Sequence, residues 1–140
     1  MILLDTNLLI YSVDPESPLR TWSRNTIADA VADDGACLNA VSLAELCVGD
    51  SDPSSVAARI RSWGVGILDL PSAAAEVCAR AYLAYRTRRL EESGSSAPRM
   101  PLPDFFIGAH AEVMGWPLAT ADRRRFGTYF PEVELRAPER

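Results

Sequence analysis

The sequence contains no lysine; all 14 of its basic residues are arginines. That excludes any site that needs an ammonium group beside a phosphoryl group. Receiver-type signalling domains fall with it, because their acidic pocket works with a lysine. Cysteine is scarce. Cys37, Cys47 and Cys78 form no CxxC pair, and an odd count without a secretory signal predicts reduced thiols in a cytoplasmic protein. All three read as small core residues. No apolar run approaches the ~20 residues needed to cross a bilayer. No basic segment precedes an apolar one at the start, so no signal peptide is expected.

What is present is ordinary for a globular chain. Apolar residues make up 48% and charged residues 24%, enough for a packed core with a solvated surface. At 140 residues, one domain spanning 1–140 is expected. The net charge of −5 argues against a nucleic-acid partner, but its distribution softens the point. Arg86, Arg88 and Arg89 cluster, as do Arg123, Arg124 and Arg125. Arginine holds phosphate oxygens bidentately.

The chain is organised around Met1-Ile2-Leu3-Leu4-Asp5-Thr6-Asn7. An apolar run without polar alternation predicts a strand buried on both faces of a parallel sheet. Asp5 then lies at its carboxyl end, the edge where open α/β sheets bind ligands. A helix is predicted over 7–13 and a second over 19–32. A strand follows over 36–40, then a helix opened by Ser42-Leu43-Ala44-Glu45 and ending near Gly49. A fourth helix is predicted over 53–63, a strand over 67–70 and a long helix from Ser72 to about Glu92. Residues 93–103 (SGSSAPRMPLP) read as a flexible connection inside the domain. A sixth helix runs over 104–114, with Pro103 entering it and Gly115 just past its end. A strand over 117–120, a helical turn over 122–126 and an edge strand over 133–135 complete the chain. Strands alternating with helices predict an α/β fold, a parallel sheet covered on both faces.

Four acids sit at element boundaries: Asp5 after the first strand, Glu45 in the helix after the second, Asp104 opening the sixth helix and Asp122 just past the fourth strand. Elements of a parallel sheet begin and end along common edges, so these carboxylates can converge. Convergence is costly. Two carboxylates ~4 Å apart repel by about 4 kcal/mol at an effective dielectric of ~20. Either some protonate or a divalent cation binds. Oxygen-only ligands favour Mg2+ or Mn2+ over Zn2+. Each acid also has a plain structural reading. Ser42-x-x-Glu45 matches a capping box. Asp104 suits a helix N-terminus through the macrodipole. Asp122, or Thr120, suits an N-cap. Asp5 is the hardest to explain that way.

Leu4-Asp5-Thr6-Asn7, Glu45 in Ser42-Leu43-Ala44-Glu45-Leu46, Asp104 in Pro103-Asp104-Phe105-Phe106-Ile107-Gly108-Ala109-His110-Ala111, and Thr120-Ala121-Asp122 with Phe126 after it give the chain its resemblance. It resembles PIN-domain ribonucleases, in particular the VapC-like toxins of bacterial toxin–antitoxin pairs. The likeness covers nearly the whole chain in order and spacing. The longer stretch at 93–103 is the main departure. The resemblance implies a three-layer α/β/α fold with a short parallel central sheet of four to five strands. It implies a catalytic set of Asp5, Glu45, Asp104 and Asp122 holding one or two Mg2+ or Mn2+ ions, which activate a water to attack an RNA phosphodiester. Thr6 and Asn7 would orient Asp5, and Thr120 would serve the Asp122 side. Arg86, Arg89, Arg123 and Arg124 become candidates for RNA backbone contacts. A VapB-like antitoxin partner, supplying a cationic side chain to the acidic pocket, and a homodimer face on the early helices are implied as well.

His110 follows Asp104 by six residues, an offset that turns it away on a helix, so a packed or hydrogen-bonded histidine is expected. Trp22, Trp63 and Trp116 read as core or interface. A haloacid-dehalogenase-type phosphatase requires DxDxT after the first strand, and Asp5-Thr6-Asn7 lacks the second aspartate. The remaining alternative is a PIN-like module that binds RNA or protein without cutting. Loss of an acid would signal it, and all four are present.

Overall fold

Ile2, Leu3 and Leu4 form β1, and all three are buried. The strand sits mid-sheet because nothing in it has to face water. The computed structural model describes residues 1–91 and 100–139. Around β1 stand β2 (Ala36–Asn39), β3 (Val65–Leu68), β4 (Leu118–Ala119) and β5 (Leu135–Arg136). The order is β3-β2-β1-β4-β5 and every pairing is parallel. Leu3 pairs with Cys37 on one side and Leu118 on the other.

Among the described residues, seven α-helices connect and cover the strands: α1 (Thr6–Val13), α2 (Arg20–Asp33), α3 (Ala40–Val48), α4 (Val56–Ser62), α5 (Ala74–Glu91), α6 (Leu102–Met114) and α7 (Arg123–Tyr129). Strand alternation splits the core in two. Leu3, Cys37 and Leu118 face one side, with Phe105, Phe126, Phe130 and Tyr85 of the later helices. Ile2, Leu4, Ala36, Leu38 and Val65 face the other, with Leu8, Leu9, Ile27 and Ile60 of the earlier helices. This is the expected three-layer α/β/α arrangement, with five strands.

The chain order builds outward from β1 in one direction and then, after β3, returns to its other side. The reversal lies between β1 and β4, where the carboxyl ends of doubly wound sheets leave a crevice. α6 is anchored there by close packing. A Cβ at Gly108 would stand 2.3 Å from the Phe130 ring, so only glycine lets that fully buried ring lie on the helix. α5 runs antiparallel to α6, as shown by Arg80 pairing with Glu112 at one end and Tyr82 meeting Phe105 at the other.

Several sequence expectations shift. The third strand is Val65–Leu68, not 67–70. Gly64, at φ +86°, makes the turn by itself, and Val65 pairs at once with Ala36. α3 begins at Ala40 because Asn39, not Ser42, is its N-cap, its side chain accepting from the Ser42 amide. The capping-box reading of Ser42 and Glu45 is therefore wrong. The segment over 53–63 is a 3₁₀ turn (Pro53–Ser55) followed by α4. α6 starts two residues before Asp104. α7 is longer than one turn, and the last strand is Leu135–Arg136. Most of the 93–103 connection, residues 93–99, lies outside the described residues. Met100, just after it, is buried and donates its amide to the Tyr85 hydroxyl. Cys37 and Cys78 are buried and Cys47 is half-buried. Trp22 and Trp116 pack against the cores, while Trp63 is 37% exposed. No helix among the described residues is long and apolar enough to cross a membrane.

Candidate active site

Asp5 follows β1 directly and is 3% exposed. Its neighbour across the crevice is Thr120, which follows β4 and is fully buried. The Asp5 amide donates to the Ala119 carbonyl, which fixes the two strand ends side by side. The Thr120 hydroxyl then donates to Asp5 Oδ2 at 2.9 Å and accepts the Asp122 amide at 3.0 Å. One hydroxyl thus orients the buried carboxylate and positions the turn that carries Asp122.

Glu45 reaches the same region from α3. The Thr6 hydroxyl donates to Glu45 Oε1 at 2.7 Å and lies 2.9 Å from the Ser42 hydroxyl. Thr6 has one proton, and the charged acceptor takes it. Ser42 is left to donate to Thr6, forming a short chain from Ser42 to Thr6 to Glu45. The sequence assigns Thr6 to Asp5; its backbone amide does bond the Asp5 carboxylate, while its hydroxyl serves Glu45. Asn7 is exposed, and the structure gives its side chain no hydrogen bond to Asp5. Thr120 supplies the side-chain support of Asp5 expected from those two residues.

Asp104 lies in the first turn of α6, its side chain 11% exposed. Its partner is Arg125, whose Nη1 stands 2.7 Å from Asp104 Oδ2. Arg125 Nε also stands 3.3 Å from Asp122 Oδ2. Asp122 is the N-cap of α7, its Oδ1 accepting the Arg125 amide at 3.0 Å. The capping reading of Asp122 holds, and the residue still has a second oxygen turned to the guanidinium.

The electrostatics follow from burial and proximity. Burial pushes the Asp5 carboxyl up to about 7 from an ordinary 3.8; the Thr120 hydrogen bond opposes this, and the charges of Asp104 and Glu45 add to it. Burial also raises Asp104; the nearby Arg125 charge opposes the rise, while Glu45 and Asp122 reinforce it. Asp5, Glu45 and Asp104 therefore feel one another, and Asp104 feels Asp122. The sequence-predicted acids do gather at one edge.

Whether they suit a metal is a question of donor type and charge. The donors are all carboxylate and hydroxyl oxygen, the set that hard divalent cations prefer. A buried carboxyl driven to about 7 is short of positive charge. Among the described residues, however, no three acidic, histidine or cysteine side chains already form a cage for an ion. The residues fit Mg2+ or Mn2+ by chemistry, and closing on an ion requires side-chain movement.

His110 is 1% exposed, and burial lowers its pKa. Its Nδ1 lies 3.2 Å from Asn39 Nδ2. The Asn39 oxygen is already committed to the Ser42 amide, so its NH2 faces the ring and Nδ1 accepts. A neutral, packed histidine results, as expected. Of the arginine clusters, Arg86 and Arg89 line a cleft of about 360 Å³ with Tyr82, Tyr85 and Leu90. Arg89 stacks on the Tyr85 ring at 5.8 Å. Arg123 instead borders a cleft with Asp29, Asp33 and Asp34 of α2, and Arg124 is exposed. The residue that sequence reasoning missed is Arg125, read as one of a surface cluster. Its signal was the spacing, an aspartate three residues before an arginine at a helix start.

The PIN domain pattern matches residues 2–130, and the chain belongs to the PIN-domain family. No curated protein matches it by sequence. Solved structures share the fold at low identity. The structure of VapBC2 from Rickettsia felis bound to a promoter DNA fragment aligns at 19% identity and a TM-score of 0.67, covering 99% of this chain and 100% of the other. DNA-bound VapBC from Salmonella typhimurium gives 20% and 0.66, covering 97% and 96%. VapC20 of Mycobacterium tuberculosis, a toxin that cleaves the sarcin-ricin loop, gives 14% and 0.60, covering 91% and 94%.

Proposed function

We propose that this PIN-domain protein is a Mg2+- or Mn2+-dependent endoribonuclease, the toxin of a toxin–antitoxin pair. The observation that carries the reading is Asp5. It is a buried carboxylate at the switch point of the sheet, close enough to Asp104 and Glu45 to feel their charges and held by the Thr120 hydroxyl and the Thr6 backbone amide, with no cation beside it among the described residues. Burying such a group without a counter-charge destabilises the fold, so a role in binding a cation accounts for it. When bound, the ion would make water acidic enough to attack a phosphodiester and would offset charge on the phosphoryl oxygens. The chain's own part is positioning. Thr120 holds Asp5, Thr6 holds Glu45, and the cap of α7 holds Asp122. The toxin role and a VapB-like antitoxin partner are supported by likeness to chains solved within VapBC complexes. RNA as substrate is supported by likeness to VapC20, described as cleaving the sarcin-ricin loop. One observation favours the binding-only alternative. Arg125 already neutralises Asp104 and Asp122.

The test is cleavage and melting together. Total cellular RNA incubated with the protein and Mn2+ should be cut at discrete sites, and EDTA should stop it. Mn2+ at 100 times its dissociation constant should stabilise the protein by about 2.7 kcal/mol, and Asp104→Asn should lose most of both effects. Cutting that persists in EDTA, or a variant as active as the wild type, would overturn the reading.

A further inference from the structure

We propose that Arg125 is a built-in counter-ion of this site: its guanidinium bridges Asp104 and Asp122 and must release them before a divalent cation can bind. The inference rests on the nuclease reading and adds to it a residue that sets metal affinity.

Three observations carry it. The guanidinium spans two of the four acids, at 2.7 Å and 3.3 Å. Those acids come from different helices, so the bridge ties the start of α6 to the start of α7. The tie is also pre-organised. The Arg125 amide is bonded to Asp122 Oδ1, so backbone and side chain close on the same residue as α7 forms. The other two acids lack such a partner. Among the described residues, neither Asp5 nor Glu45 is in an ion pair.

The two cations are incompatible on the same oxygens. A divalent ion needs oxygen at about 2.0–2.1 Å for Mg2+, which would set it beside a guanidinium with like charge in a pocket only partly open to water. Repulsion there is weakly screened. The Arg125 side chain is 28% exposed, so it has a way out to solvent along its flexible stem. A guanidinium cannot do the ion's work, because it has no vacant site to polarise water. It stabilises the pair of acids and opposes the loading of an ion on them.

Calorimetric titration of Mn2+ into the metal-free protein tests this without relying on activity. Arg125→Ala should bind Mn2+ about tenfold more tightly than wild type, the scale of one partly screened like-charge repulsion relieved. In EDTA it should melt at a lower temperature, so its rise on adding Mn2+ should exceed that of the wild type. Arg59→Ala, which removes an ion pair with Asp50 elsewhere, should leave Mn2+ affinity unchanged. Arg125→Gln removes the charge but keeps a polar hydrogen-bonding side chain, and serves if the alanine variant does not fold. Equal affinities in wild type and variants would overturn the inference alone. Weaker binding in the variants would overturn it too, showing that Arg125 organises the acids for the ion. Mn2+ uptake by neither protein would bring down the metal reading and this inference together.

Discussion

The acidic edge has two halves that solve one problem differently. On the β1–α3 side, Asp5 and Glu45 are held by the hydroxyls of Thr120 and Thr6. On the α6–α7 side, Asp104 and Asp122 are held by the guanidinium of Arg125. A hydroxyl orients a carboxylate but brings no charge. A guanidinium does both. The consequence shows at Asp5, whose carboxyl sits at about 7 with burial as the main cause. At Asp104 the same burial is partly answered by Arg125. The hydroxyl half is thus geometrically ready and electrically incomplete, whereas the arginine half is complete and has to be opened. A site that binds a cation only in use would be expected to look like this. A purely structural cluster has no reason to leave one half uncompensated.

The largest effect should come from removing the uncompensated charge. Asp5→Asn keeps an oxygen to accept from Thr120 and offers an NH2 toward the other acids. Cleavage should fall by about 10²–10³-fold, the scale of losing one pre-organised electrostatic contact. Stability should move the opposite way. Asp5 has a folded pKa of about 7 against 3.8 unfolded. Its protonated form is favoured by folding, so that contribution is fully present below pH 3.8 and is lost as pH rises through about 7. The loss amounts to at most about 4 kcal/mol. In EDTA at pH 8 the variant should therefore melt higher than wild type, and near pH 4 the two should converge. Mn2+ should reverse the order at pH 8. A variant less stable than wild type at every pH would end the contrast between the halves.

A smaller effect separates orientation from charge. Thr120→Val removes the hydroxyl that serves Asp5 and the Asp122 amide; Thr6→Val removes the one that serves Glu45. Each should weaken Mn2+ binding 10–100-fold, with Thr120→Val the worse because one hydroxyl there serves two acids. Thr120→Ser should recover most of the loss. If Thr6→Val proves the more damaging, Glu45 rather than Asp5 is the centre of the hydroxyl half.

Much of this was readable from the chain. An all-apolar strand ending in Asp5 needs no tertiary knowledge, because period and polarity decide it. The same holds for Asp104, placed by Pro103 before it and Gly115 at the far end. The partners were less legible. Thr6 was assigned to its neighbour Asp5, yet its hydroxyl turns to a residue 39 positions away. Side-chain direction at a helix start depends on which helix packs alongside. Asn39 was overlooked as a cap because Ser42-x-x-Glu45 matched a known pattern one turn too late. Two caps competed, and the strand end at Asn39 decided between them. Arg125 stands in a run of three arginines, and only its three-residue spacing from Asp122 sets it apart. The helix geometry of α7 turns that spacing into a contact.

The smallest expected effect extends the comparison to the surface arginines, which sequence alone treats as equals. Arg123 borders a cleft that also holds Asp29, Asp33 and Asp34, the last paired with Arg136, so carboxylates offset part of its field. Arg86 borders a cleft with Tyr82, Tyr85 and Arg89, and Tyr85 packs on Phe105, the neighbour of Asp104. A cationic cleft with aromatic walls beside the start of α6 is the better place for a nucleic-acid backbone. RNA binding measured across salt concentrations, in the inactive Asp5→Asn background, should distinguish them. Arg86→Ala should reduce the salt slope by about 1, as for one lost phosphate contact. Arg123→Ala should change it by less. The reverse ranking would move the RNA path to the α2 side of the molecule. It would also mean that the α2 carboxylates do not cancel the field of Arg123 at the distance of a phosphate. No change in either variant would place the backbone contacts away from both Arg86 and Arg123.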